Sequence, residues 1–148
     1  MSDDEILKIL ENEDREGVSL DLSGYSGRAL IGSLQDLTKF IGKKSCDHIY
    51  LEVGVYQGLT LTSVASANPD TLCFGIDNFS QFDVDGKNYS IVKSRLSQHT
   101  NGNGLIINKD FEDALLHLQD DIGESKIGVY FIDGPHDYRS QYLCLEYA

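Results

Sequence analysis

Ile49-Tyr-Leu-Glu-Val-Gly-Val-Tyr-Gln-Gly-Leu-Thr60 is an apolar run that breaks into a glycine-bearing turn and then resumes with helical spacing. Ile49, Leu51, Val53 and Val55 alternate with other residues, which is the period of a strand. Gly54 and Gly58 fall where the backbone must turn and approach something closely. Leu61, Val64 and Ala65 follow on one face of a helix. A strand, a glycine turn and a helix in that order aim the free N–H groups of the first helical turn at a ligand, and two missing side chains leave room for a nucleotide-like molecule.

Downstream the alternation continues. Asn68-Pro-Asp makes a turn, Thr71 to Ile76 a second strand, and Tyr89 to Gln98 a helix. Leu105 to Asn108 then read as strand, Phe111 to Leu118 as helix, Val129 to Ile132 as strand, and Tyr138 to Ala148 as helix. The pattern predicts an α/β fold: a parallel sheet with helices on both faces and right-handed crossovers. Ligands on such sheets collect at the carboxyl ends of the strands. Here those ends carry Glu52 to Gly58, Asp77-Asn78, Asp110-Phe111 and Asp133 to His136.

Upstream, Asp3 to Glu13 reads as an amphipathic helix with Ile6, Leu7 and Leu10 on one face and Ser2, Asp3 and Asp4 as cap and dipole-compatible charge. A Gly/Ser-rich loop runs from Gly17 to Gly27, and Leu30, Leu34, Leu37, Phe40 and Ile41 predict a second helix facing the core. Residues 1–45 are thus expected to form a helical segment or lid, and 46–148 a cofactor-binding unit.

With 148 residues and 41% hydrophobic content the chain suits one core. Its net charge of -12, with 12 Lys+Arg against 24 Asp+Glu, argues against nucleic acid or an anionic membrane as partner. Cys46, Cys73 and Cys144 lack paired spacing and read as buried structural thiols, not as a disulfide framework or zinc site. The acidic start Met1-Ser-Asp-Asp-Glu is unlike a secretory signal, and no apolar run approaches a membrane span, so a cytoplasmic location is expected.

Several residues can carry chemistry. Asp77 sits one strand-helix-strand unit past the glycine turn, where a carboxylate can accept from both ribose hydroxyls; it equally suits the start of a turn. Asp110 and Phe111 offer an acceptor and an apolar wall to an adenine ring, and Asp110 can also cap the following helix. Within Tyr130-Phe-Ile-Asp-Gly-Pro-His-Asp-Tyr138, Asp133 and His136 can orient a substrate, hold a cation or move a proton. His136 also suits pinning a loop through a backbone hydrogen bond, and Asp133 has no identified partner for a metal. His48, His99 and His117 read as structural or exposed. Phe79, Phe82 and Tyr89 line an entrance or pack.

Glu52-x-Gly54-x-x-x-Gly58-x-Thr60, then Phe74-Gly-Ile-Asp77, then Asp110-Phe-Glu-Asp-Ala-Leu115, then Phe131-Ile-Asp-Gly-Pro-His-Asp-Tyr138 resemble the successive motifs of class I S-adenosylmethionine-dependent methyltransferases. The last resembles small-molecule O-methyltransferases. The resemblance, over Ile49 to Tyr142, implies a Rossmann-like sheet ordered 3-2-1-4 and S-adenosylmethionine as cofactor. It places Glu52, Gly54 and Gly58, with Tyr56 and Thr60 of the same turn, around the donor's amino-acid part. Asp77 and Asn78 fall at the ribose, Asp110 and Phe111 beside adenine, and Asp133 at the methyl-transfer site with His136 as base. In some relatives Mg2+ assists, and Asp133 matches one ligand position. The family sheet usually continues through three more strands, so the edge of the fourth strand is expected to be covered by a second copy in a homo-oligomer or by the remainder of a longer chain. Methyl transfer to a small-molecule hydroxyl is the expected activity. A non-catalytic cofactor-binding or assembly module is the alternative. A nicotinamide-dependent oxidoreductase fits less well, because Glu52 stands where the first glycine of a pyrophosphate turn would be.

Overall fold

The computed structural model describes residues 3–12 and 20–147. The expected capping by Ser2, residue Glu13, the loop from Gly17 to residue 19 and the terminal Ala148 lie outside them; the first helix, expected to reach Glu13, stops at Leu10, and Glu11 and Asn12 beyond it are not helical. Helices α1 (Asp3–Leu10) and α2 (Arg28–Lys44) precede strand β1 (His48–Val53) and helix α3 (Leu59–Ala67). Then come β2 (Cys73–Ile76), α4 (Asn88–His99), β3 (Gly104–Ile107), α5 (Phe111–Leu116), α6 (Leu118–Ile122), β4 (Lys126–Ile132) and α7 (Tyr138–Glu146). The four strands form one parallel sheet in the order β3-β2-β1-β4. This is a Rossmann-like α/β fold with β4 at one edge.

Strand alternation sorts the side chains into two layers. Ile49, Leu51 and Val53 of β1 join Phe74, Ile76 and Ile107 on one face, against Ala114 and Leu115 of α5 and Cys144 of α7. Tyr50 and Cys73 point the other way, into Leu34 of α2, Leu61, Val64 and Ala65 of α3, and Val92 and Leu96 of α4. Each fully buried Leu or Val in these layers contributes roughly 1.5–3 kcal/mol. Central strands β1 and β2 are almost wholly buried, whereas the residues of β4 after Lys126 are half-buried.

β4 begins at Lys126, earlier than its apolar run suggests, because Gly128 interrupts the pattern. The β1–β4 register shifts between Ile49 and Tyr50, opposite Gly128. A side chain at Gly128 would run into Ile41 of α2 and into His48, so glycine lets α2 lie close against the sheet.

The two amino-terminal helices depart from expectation. α1 buries none of its residues, and Leu7 and Leu10 are about half exposed. In α2 the buried stripe is Ile31, Leu34, Gln35, Thr38 and Ile41, while Leu30 is exposed and Leu37 and Phe40 are only half-buried. The helix is rotated because Gln35 is needed inside, where its Nε2 donates to the Ser63 carbonyl at 2.9 Å. Asn68 in turn donates to the Gln35 carbonyl at 3.3 Å. Helix α5 ends at Leu116, since His117 leaves helical geometry at φ -118°, ψ 26°, and Leu118 starts the separate α6. Of the three cysteines, all free, Cys73 and Cys144 are buried as expected, but Cys46 is exposed.

Below the sheet, Asn103 clasps the connection between α3 and β2. Its Nδ2 lies 3.0 Å from the Ala65 carbonyl and 2.9 Å from those of Asn68 and Thr71. Asn103→Ala removes a donor that three carbonyls share, two of which keep the N–H groups of Asn68 and Thr71, and is expected to lower unfolding stability by about 0.5–1.5 kcal/mol in denaturant titration, with an unchanged m-value. An unchanged midpoint would deny the clasp its role.

Candidate active site

The turn after β1 places residues 54–58 at the carboxyl edge of the sheet. Gly54 at φ 93°, Tyr56 at φ 52° and Gly58 at φ 76° are all left-handed. For Tyr56 such a conformation costs on the order of 1 kcal/mol and must be held from outside. Asp77, at the end of β2, does so. Its Oδ2 accepts from the Val55 N–H at 2.8 Å and the Tyr56 N–H at 2.9 Å, and its Oδ1 from the Phe79 N–H at 2.7 Å. A carboxylate has about four acceptor sites, so Asp77 retains capacity for one further hydrogen bond, not the pair that two ribose hydroxyls would need.

Both glycines are required by packing. A side chain at Gly54 would collide with the Asp133 carbonyl and Gly134, where β1 and β4 end side by side. At Gly58, which caps α3, it would come within 2.9 Å of the buried Val92.

Above this turn lies a cavity of about 460 Å³. All four strand ends contribute to it: Gly54, Tyr56 and Thr60 after β1, Asp77 and Asn78 after β2, Asp110 and Phe111 after β3, and Asp133 and His136 after β4. Val53, Val55 and Ile76 supply apolar floor. Two expected residues do not line it. Gly58 lies beneath as the cap of α3, and Glu52 is fully buried in β1.

Glu52 is an unusual core group. The Tyr50 hydroxyl donates to its Oε2 at 2.7 Å, while Oε1 is buried with no partner among the described residues. Burial pushes its pKa from 4.5 up to about 8; the Tyr50 hydroxyl opposes this, and the nearby Asp133 and Asp77 add to it. Glu52 is therefore largely protonated at neutral pH, which lets it sit in the sheet without an ion partner.

The remaining groups are held by their own helix starts. Asp110 Oδ1 accepts from the Glu112 N–H at 3.0 Å, capping α5, so its capping role is met while its side chain still borders the cavity. Asp137 caps α7 by accepting from the Ser140 N–H at 3.0 Å, and Gln141 Nε2 donates to the Pro135 carbonyl at 2.7 Å. These contacts set the loop that presents Asp133 and His136. Both are exposed, and burial of part of the Asp133 carboxyl raises its pKa while His136 pulls it down. No three His, Cys, Asp or Glu side chains converge on a metal position among the described residues, and nothing here supports magnesium at Asp133.

Sequence reading missed one wall. Gly24, Tyr25 and Ser26, before α2, border the cavity, with the Tyr25 ring 5.3 Å from that of Tyr56. No periodicity marks that loop; only its Gly/Ser content hints at close approach. Among the aromatics expected at an entrance, Phe82 lines the cavity, whereas Phe79 packs on the core and on Tyr89 at 5.4 Å.

The protonated Glu52 has a measurable consequence. Between 4.5 and about 8 the folded protein keeps a proton that the unfolded chain has released, so its stability falls as pH rises through that window and levels above it. Glu52→Gln removes this pH dependence. Its melting temperature relative to wild type is expected to climb across the window and then stay flat; a difference independent of pH would show that Glu52 titrates as an ordinary carboxylate.

No helix among the described residues is long and apolar enough to cross a membrane. A family model described as a methyltransferase domain matches residues 51–148, the span that carries all four strand ends. Neither the curated proteins nor the solved structures offered a match. Fold, strand-end cavity and family match agree: the chain belongs to this methyltransferase-domain family, class I enzymes whose methyl donor is S-adenosylmethionine.

Proposed function

We propose that the chain transfers a methyl group from S-adenosylmethionine to a hydroxyl of a small molecule. The observation that carries this reading is the convergence of four strand ends on one cavity of about 460 Å³, within the range of single-ligand sites. Asp77, Asp110 and Asp133 border it, and no lysine or arginine among the described residues does. That field suits a donor carrying a sulfonium and an ammonium. Three unpaired thiols support a cytoplasmic setting within the same proposal.

The residues divide the work by position. Phe111 and Ile76 give apolar surface to the adenine, and the remaining acceptor sites of Asp77 and Asp110 meet polar edges of the nucleoside. The free N–H groups of Leu59 and Thr60, at the start of α3, face the donor's carboxylate. S-adenosylmethionine supplies an already activated methyl group, so alignment and deprotonation of the acceptor are what the protein must add. His136 takes the proton of the acceptor hydroxyl as its oxygen bonds the methyl carbon and the carbon–sulfur bond breaks toward sulfur. Asp133 then stabilises the imidazolium. No step is assigned to magnesium.

Calorimetry with S-adenosylmethionine and S-adenosylhomocysteine tests the donor assignment: both are expected to bind, and absence of binding by either would remove it. In turnover assays across hydroxylated acceptors, His136→Ala is expected to lower kcat by about 10²–10⁴-fold with S-adenosylhomocysteine affinity retained. Unchanged turnover would take His136 out of the mechanism.

A further inference from the structure

Arg95 of α4 is absent from the cavity wall, yet it joins two segments that form that wall. Its Nη1 donates to the Gln57 carbonyl at 2.7 Å and to the Ser23 carbonyl at 3.0 Å, and its Nη2 donates to Ser23 Oγ at 2.9 Å. Gln57 stands between the left-handed Tyr56 and Gly58. Ser23 begins the stretch whose next three residues border the cavity. That stretch lies flat on the start of α3: Ser26 Oγ is 2.9 Å from Thr60 Oγ1, and a side chain at Gly24 would come within 2.6 Å of Leu59. Its other holds are light, the Ser26–Thr60 hydroxyl pair and the Tyr25 ring beside Tyr56, and Tyr25 is 91% exposed.

We infer that Arg95 is a positioning residue that latches residues 23–26 as a strap over the methyl-donor cavity, so that one guanidinium couples strap closure to the shape of the glycine turn. This rests on the donor reading proposed above. A planar guanidinium suits this role because its fixed fork can serve the carbonyls of both segments and a hydroxyl at once; lysine, with a single ammonium, cannot span all three. When the strap lifts, the cavity loses the Tyr25 wall and the bound nucleoside gains an exit. The effect therefore falls on ligand dissociation more than on association.

The test is stopped-flow measurement of S-adenosylhomocysteine dissociation from the full chain. Arg95→Met and Arg95→Lys are each expected to speed dissociation about tenfold, with a raised KM for the donor and a kcat little changed. Gly24→Ala forces the strap off Leu59 with Arg95 intact and is expected to do the same, while the double variant Gly24→Ala/Arg95→Lys adds little beyond either change. Hydrogen exchange across residues 20–27, measured without ligand, is expected to rise in every variant while β1 and β2 keep their protection, which separates a released strap from a general loss of fold. If the homocysteine product binds wild type and leaves the variants no faster, the latch is overturned and the donor assignment stands. If it does not bind wild type, the donor assignment falls and the latch with it.

Discussion

The carboxylate of Asp77 holds the carboxyl edge of the sheet together. Its oxygens take the N–H groups of Val55, Tyr56 and Phe79, so the end of β2 sets the path of the chain leaving β1. A non-glycine residue in left-handed geometry persists only where its surroundings over-determine it. Tyr56 meets that condition through Asp77 on its N–H and through Arg95 on the adjoining Gln57 carbonyl.

The charge of this region follows from the same contacts. Glu52 is kept neutral by burial, Asp77 commits most of its acceptor capacity to the backbone, and Asp110 caps a helix. Asp77, Asp110 and Asp133 can therefore share one rim above a neutral Glu52 without a lysine or arginine among the described residues that line it. The residual field is negative, and it is weakest where the N-terminus of α3 turns its free N–H groups upward. A ligand with separated positive and negative ends is oriented by such a gradient before any close contact forms.

Sequence pattern exposed the sheet and the polar strand ends well, because a period of two and a following glycine or aspartate are local signals. It failed where polar residues are buried. Gln35 and Thr38 face inward in α2, so the apolar residues Leu30, Leu37 and Phe40 misreport its orientation. Glu52 reads as a site residue because it is acidic and precedes a glycine turn, yet it is part of the core. Gly54 and Gly58 signal close approach correctly: the β4 end meets the first and Val92 the second.

The alternation of strand and helix, the parallel pairing it demands and the chemistry at the strand ends were legible in the linear chain, since hydrophobic periodicity and turn chemistry act over a few neighbouring residues, whereas the order of the strands followed only from the family resemblance. Which acceptors remain free was not. The capture of Asp77 by backbone N–H groups, the neutral state of Glu52 and the bridge from Arg95 to a serine 72 positions away arise only when distant segments meet. Burial and hydrogen-bond competition among those segments decide them, and neither quantity exists before the chain has folded.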